Sequence, residues 1–118
     1  MPDAVVLEES ILTSIKKLLG ISADVTAFDT DVTFHINTVF ANLVQMGVGP
    51  QEGFHITGSN ETWSQFTSND LLIENVKTYV YIKVKLVFDP PTTSALLDAY
   101  KSQAAELEWR LYTQKGGY

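Results

Sequence analysis

The stretch that constrains the fold most runs from residue 68 to residue 88 and contains neither glycine nor proline. Its last ten residues, "YVYIKVKLVF", have the composition of a β-strand, because β-branched and aromatic side chains nearly alternate there. Apolar residues nevertheless recur at helical spacing through the whole stretch, at Ile73, Val76, Val80, Val84 and Val87. Alternation explains only the last ten residues, and "DPP" ends a helix as well as a strand. The stretch therefore predicts one continuous helix.

The same spacing rule predicts three further helices. The first lies between Glu8 and Gly20, the second spans about residues 30 to 46 with Gly47 as its stop, and the last begins after the prolines. Short polar residues that can accept a backbone hydrogen bond stand at the helix starts. The candidate N-caps are Asp29 or Thr30 for the second helix, Ser68 or Asn69 for the third, and Thr92, Thr93 or Ser94 for the last.

Between the second and third helices, in "GVGPQEGFHITGSNETWSQF", glycines interrupt any regular spacing of apolar residues. Because "FHIT" meets "ETW" across "GSN", this segment is either a long loop or a small β-hairpin. The predicted fold is all-α, a small bundle of about four helices with this loop or hairpin between the second and third. The 118 residues have room for a single domain, residues 1–118, with an ordered core over about residues 8–112.

Composition excludes several classes of protein. The chain has no cysteine, which rules out disulfide scaffolds and thiolate metal sites. Its net charge of −6 is uneven: residues 1 to 76 carry 2 basic and 10 acidic side chains, whereas residues 77 to 118 carry 6 basic and 4 acidic ones. Such a chain is not expected to grip nucleic-acid phosphates. Neither a signal-peptide pattern nor a run of about 18 apolar residues occurs, so we expect a protein made and kept in a cytoplasm, without membrane contact.

No constellation of catalytic or metal-binding residues is recognisable. His35 and His55 have no second ligand at metal-binding spacing, so both are interpreted as structural or surface residues. Asp29 and Asp31 stand where acids favour a helix N-terminus without any chemistry. The segment "GVGP" from residue 47 lacks the lysine of a phosphate loop and is interpreted as a helix end followed by a turn. We expect no enzyme, no metal site and no cofactor.

Apolar side chains in the glycine-bearing segment are candidates for partner binding: Phe54, Ile56, Trp63 and Phe66. They either form a small core under a long loop or dock a protein, since aromatic residues on loops supply contact area at low entropic cost. The C-terminal "RLYTQKGGY" leaves a similar choice, between a fraying end and an arm that orders on a partner.

The last helix carries two apolar stripes. The first repeats at spacings of three and four, at Leu97, Tyr100, Ala104, Leu107 and Leu111. The second lies about 100° around the helix, at Ala105, Trp109 and Tyr112. Two stripes on one helix indicate two different packing partners. Trp109 and Tyr112 therefore complete the set of candidate partner-binding residues.

The order of these features resembles that of the head-tail connector, or adaptor, proteins of long-tailed phages and prophages. The resemblance rests on "ILTSIKKLLGI", on "FDTDVTFHINTVFANLVQMGVGP" with a following "GF", on "TW" before the third helix, on "VKTYVYIKVKLVFDPP", and on a last helix that ends "ELEWRL". It covers roughly residues 8 to 112. Its specificity comes from the combination of "QMGVGP" and "KLVFDPP" at this separation.

The resemblance implies an all-α structural subunit without enzymatic activity or cofactor. It implies a ring of about twelve copies in the phage neck, joined to the portal protein and to the stopper or tail-completion protein. DNA would pass through this ring without specific binding, and the subunit would reside in the virion after assembly in the host cytoplasm. The alternatives are another neck or tail-completion protein, or a cytoplasmic helical interaction or regulatory protein.

Acidic side chains near the long loop are candidates for lining the DNA channel of such a ring. Positive walls would hold phosphates, whereas repulsion keeps a duplex mobile. The predicted lining residues are Glu52, Glu61, Asp70 and Glu74.

Overall fold

A computed structural model describes residues 9–115, with the side chains of residues 9–113. This part of the chain forms five helices and no strand: α1 (Ile11–Leu18), α2 (Asp29–Gln45), α3 (Trp63–Phe66), α4 (Asp70–Phe88) and α5 (Ser94–Lys115). The all-α prediction is confirmed, and the single turn α3 is added to the four expected helices. Within residues 9–115, no helix is both long enough and apolar enough to cross a bilayer.

Helix α4 is the centre of the fold and contacts each of the other four helices. Asn69 begins it, because its Oδ1 accepts hydrogen bonds from the backbone N–H groups of Leu71 and Leu72 at 3.1 and 3.2 Å. The helix continues through the strand-like residues 79–88 and ends at Asp89, before the two prolines. One continuous helix is therefore confirmed. Packing against α2 and α5 outweighs the local preference for a strand.

Helix α2 packs one face on α4, and its buried side chains follow the spacing seen in the sequence: Val32, Ile36, Val39, Phe40 and Leu43. The helix begins at Asp29, and Phe28 holds the N-cap position without a capping side chain. The prediction of Asp29 or Thr30 as N-cap is therefore wrong. The Asp29 carboxylate instead lies 2.7 Å from the ammonium of Lys16, which is only 3% exposed. A charge buried to that extent needs a counter-charge.

Helix α5 packs along α4 and buries Ala104, Leu107 and Leu111 of its first stripe. Thr93 caps it, since the backbone N–H of Leu96 donates to Thr93 Oγ1 at 3.3 Å, and one of the three predicted caps is thereby confirmed.

A polar contact adds to the packing of α5 on α4. The Tyr79 hydroxyl donates to the Glu108 carboxylate at 2.7 Å. Burial raises the pKa of Tyr79, and the bond to Glu108 raises it further. The phenol therefore stays protonated and keeps donating across the physiological pH range.

The segment between α2 and α3 is a loop, and the alternative of a β-hairpin does not form within residues 9–115. The side chain of Asn37 on α2 takes the place of a strand partner for Ile56. Its Nδ2 donates to the Ile56 carbonyl at 2.9 Å, and the Ile56 N–H donates to its Oδ1 at 2.7 Å. The "ETW" part pairs instead with the start of α1, through an antiparallel bridge between Ser10 and Thr62. Asn37 and the start of α1 thus supply hydrogen-bond partners for the backbone of both parts of the segment. The two parts therefore do not need to pair with each other as a hairpin.

Candidate functional site

The apolar side chains of the loop lie inside the subunit and pack around Phe40 of α2. The ring centroid of Phe40 is 5.1 Å from that of Phe54 and 5.1 Å from that of Phe66. The Trp63 ring lies 6.3 Å from it. Trp63 and Phe66 are each 3% exposed, Ile56 is 1% exposed, and Phe54 is half-buried. We call Phe54, Ile56, Trp63 and Phe66 the loop cluster.

Two further contacts hold the loop cluster in place. The indole N–H of Trp63 donates to Ser14 Oγ at 2.9 Å, which ties α3 to α1. Gly49 approaches the cluster so closely that a Cβ built there would lie 2.5 Å from the Phe66 ring, and its φ of +97° also favours glycine. The loop is therefore fixed at its start by close packing and at its end by a buried hydrogen bond.

Of the two interpretations of these residues, a small core under a long loop describes what this subunit contains. A docking role for Phe54, Ile56, Trp63 and Phe66 stays a prediction. For Ile56, Trp63 and Phe66 it requires the loop cluster to open, because side chains this deeply buried present almost no contact area to another molecule. Phe54 is half-buried and keeps part of its ring exposed.

The second stripe of α5 lies on the surface of the subunit, in contrast to the buried loop cluster. Trp109 is 68% exposed and Tyr112 is 57% exposed, while Ala104 and Leu111 on the first stripe are buried. Ala105, the first residue of the second stripe, is exposed as well. We call Ala105, Trp109 and Tyr112 the α5 stripe. It is an aromatic surface on a helix whose other face is fixed in the core.

Sequence reasoning missed a second exposed group of aromatic rings. Phe34 on α2 is 67% exposed and Phe28, just before α2, is 43% exposed. They are linked through His35 and Phe88 by successive ring contacts. Phe34 lies off the buried stripe of α2, which was an available signal. The contact of Phe28 with Phe88 joins residues far apart in the chain and has no sequence signature.

Three of the four acids predicted to line a channel, Glu52, Asp70 and Glu74, are exposed, and Glu61 is half-buried. The Thr57 hydroxyl donates to Glu61 Oε2 at 2.7 Å. Burial acts to raise the pKa of Glu61, but the hydrogen bonds from Thr57 and from nearby backbone N–H groups outweigh it, so that the pKa is lowered below 4.5. Glu61 is thus a charged residue that also holds the loop. The orientation of all four acids toward a channel stays a prediction.

Three further titratable groups, His35, His55 and Tyr81, lie at the surface or in packing contacts. No group of three or more His, Asp or Glu side chains in the described part of the chain is placed to hold a metal ion. His55 is exposed, and His35 packs against aromatic rings. Burial, a hydrogen bond with Tyr100 and the nearby Asp89 raise the pKa of Tyr81 to about 12. This phenol lies where α4 and α5 pack together, and its shift reflects that packing.

Comparison with known proteins supplies the family. A family model described as "Phage connector protein" matches residues 11–118, which include all five helices, the loop cluster and the α5 stripe. No curated protein and no solved structure matches the chain. The resemblance to head-tail connector proteins is confirmed at the level of the family. The chain belongs to the phage connector protein family and is a structural phage protein.

Proposed function

We propose that the chain is the repeating subunit of an oligomeric ring in the phage neck, where it joins the portal to the stopper or tail and lets DNA pass. The observation that carries the proposal is Trp109, 68% exposed on a helix whose opposite face is buried. A ring of about twelve copies is the size that the resemblance to head-tail connectors implies. The virion neck is then its final location, and the portal and stopper are its partners.

The exposure of Trp109 supports assembly for an energetic reason. Single exposed apolar side chains are common on monomers and need no explanation. Tryptophan and tyrosine side by side on a rigid helix are different, because they offer a large contact area and lose little conformational freedom on binding. Trp109 and Tyr112 lie one turn apart on α5. A surface of this kind is typical of the centre of a protein interface.

The acidic surface supports passage of DNA. Glu52, Asp70 and Glu74 are exposed and lie in or just after the long loop. Ring symmetry repeats each acid in every subunit, so that one carboxylate becomes a circle of like charges. Such a circle repels phosphates, and the Debye length of about 8 Å at physiological salt leaves that repulsion effective close to the wall. A duplex in the channel would then stay mobile.

The decisive experiment is electron microscopy of the purified chain mixed with the portal protein of the same phage. The proposal predicts closed rings seated on the portal, with central openings wide enough for duplex DNA. Trp109→Ala is compared with the unchanged chain in the same experiment. We expect this variant to form fewer rings while its subunit stays folded. Rings that form only on isolated tails would favour another neck or tail-completion protein. A chain that binds neither portal nor tail would contradict the proposal.

The channel is tested separately by charge reversal. Asp70→Lys together with Glu74→Lys should leave the subunit folded, because both side chains are exposed. Assembled rings of this variant should bind duplex DNA at low salt, and binding should weaken as salt rises. A variant in which two exposed acids away from α5, Glu9 and Asp24, are changed to lysine has the same net charge and serves as the control. Equal DNA binding by both variants would contradict the predicted lining.

A further inference from the structure

The aromatic group missed by sequence reasoning forms a continuous surface. The ring centroids of Phe34 and His35 are 5.6 Å apart, those of His35 and Phe88 are 6.4 Å apart, and those of Phe88 and Phe28 are 5.7 Å apart. We call these four residues the α2–α4 patch. It joins the first half of α2 to the C-terminal end of α4. All three contacts are edge-to-face, the arrangement that aromatic rings prefer.

The patch includes Phe34, the one large apolar side chain among the exposed residues of α2. Phe34 lies opposite the buried stripe of α2, and its neighbours one turn away, Asp31 and Thr38, are exposed polar residues. Phe34 is 67% exposed and Phe28 is 43% exposed. The two rings between them, His35 and Phe88, are half-buried and anchor the row to both helices. Phe88 also packs against the hydrophobic core. The patch is therefore a row of rings that is held by the core at Phe88 and exposed at Phe28 and Phe34.

We infer that the α2–α4 patch of one copy receives the α5 stripe of the next copy. This inference rests on the proposed ring and identifies its subunit interface. A closed ring is built head to tail, so each subunit must present two different surfaces that fit each other. The described residues expose two aromatic surfaces on different elements, one on α5 and the other on α2 and α4. A twofold dimer would need only one self-complementary surface.

Among the described residues, each of the two surfaces has an unpaired charge near it, and these two charges are opposite in sign. Asp31 lies one turn before Phe34, is exposed, and stands on a helix without lysine or arginine. Lys101 lies two turns before Trp109, about 12 Å along the axis, and is also exposed. Neither has an ion-pair partner among the described residues. Opposite charges at the rim of an interface steer the encounter and fix its register. Asp31 of one copy is thus placed to meet Lys101 of the next.

The absence of cysteine from the chain allows a direct test by single-cysteine cross-linking. Thr38→Cys places a thiol beside the α2–α4 patch, and Ser102→Cys places one beside the α5 stripe. The two full-length variants are mixed, each with its own mass tag, and treated with a short bifunctional maleimide. A head-to-tail interface predicts mixed dimers in roughly tenfold excess over either homodimer. Ser59→Cys, on the exposed loop, is the matched control. When it replaces Thr38→Cys in the mixture, mixed dimers should not be in excess over homodimers.

Charge exchange identifies the pair within the interface. Asp31→Lys and Lys101→Asp should each lower the yield of mixed cross-links severalfold at low salt. A chain with both substitutions should recover the yield, because the charges are exchanged and not lost. Circular dichroism of each variant shows whether the subunit has kept its helices. An exchanged pair that fails to recover cross-linking would overturn the pairing of Asp31 with Lys101.

The outcomes separate this inference from the proposed ring. Mixed cross-links in excess support the inference even where electron microscopy shows no ring on the portal. Homodimers of one variant in excess would overturn it, because they indicate a twofold contact. Rings that form normally with Phe34→Asp would overturn it as well, and would leave the proposed ring intact. Rings that are lost with Phe34→Asp and with Trp109→Asp, but are kept with the exposed control Ser59→Asp, would support it.

Discussion

The two tryptophans of the chain occupy opposite environments. Trp63 in the loop cluster is 3% exposed and donates a buried hydrogen bond, whereas Trp109 in the α5 stripe is 68% exposed. From the sequence, both tryptophans were predicted to be candidate partner-binding residues. The structure assigns Trp63 to holding the subunit together and leaves Trp109 available to other molecules. The difference lies in what surrounds each residue: Trp63 packs on Phe40 of α2, while among residues 9–115 no helix other than α4 packs extensively on α5, and Trp109 lies on the exposed face of that helix.

The largest effect is expected from Trp63→Ala, which removes the indole from the loop cluster and leaves Ser14 without its donor. Replacing a buried tryptophan by alanine typically costs about 3 to 5 kcal/mol. Trp109→Ala is the matched control and should change the free energy of unfolding by no more than about 0.5 kcal/mol, because Trp109 is exposed. Urea denaturation of both variants measures this. Equal losses would remove the distinction between the two regions.

A smaller loss is expected from Gly49→Ala. The new Cβ would lie 2.5 Å from the Phe66 ring, on a backbone with φ of +97°. Together, strain and repacking should cost about 2 to 3 kcal/mol. Gly53→Ala is the control in the same loop, since its φ is +93° and its Cβ would meet nothing within 4 Å. If the two variants unfold at the same urea concentration, the contact with Phe66 contributes nothing.

Asn37→Ala should cost less, about 1 to 2 kcal/mol, because it leaves the N–H and the carbonyl of Ile56 without their side-chain partner. Thr38→Ala, the next residue on α2, is exposed and serves as the control. Hydrogen exchange gives the sharper readout. We expect the Ile56 amide to exchange faster in Asn37→Ala, while amides in the middle of α4 change only with global stability. Unchanged protection of Ile56 would show that the loop is held without Asn37.

The smallest effect is expected in the titration of the Glu61 carboxyl group. The pKa of Glu61 is lowered, so the stability that Glu61 contributes is present above its ordinary pKa of 4.5 and is lost as the pH falls through the lower folded value. Thr57→Val removes the hydroxyl donor and should move the Glu61 pKa upward. Carboxyl resonances followed by NMR between pH 2 and 6 report this directly. Thr67→Val, in the same region, should leave the pKa of Glu61 where it is.

Much of the fold was predictable because it depends on local pattern. The spacing from Ile73 to Val87 identifies α4 in spite of its strand-like composition, and the buried stripe of α2 follows its sequence period. The choice between loop and hairpin was not predictable, since Asn37 lies 19 residues before Ile56. No local rule shows that a helix side chain satisfies the backbone of a distant loop.

The candidate sites also differ in how far the sequence predicts them. The α5 stripe was visible because two apolar faces on one helix cannot both lie in the same core. The depth of the loop cluster was not visible, because it depends on Phe40 lying beneath the loop. The α2–α4 patch was missed because Phe28 meets Phe88 only in three dimensions. Contacts between distant elements therefore determine which aromatic residues remain available to partners.

The central claim is that Trp63 holds the subunit and Trp109 holds the assembly. Two single-tryptophan chains, Trp109→Phe and Trp63→Phe, test it most directly through their fluorescence before and after the rings form on the portal. We predict that the emission of Trp109 moves to shorter wavelength and becomes protected from iodide on assembly, while that of Trp63 is already blue-shifted and does not change. An emission of Trp109 that stays typical of an exposed indole in assembled rings, or a Trp63 whose emission shifts instead, would contradict the claim.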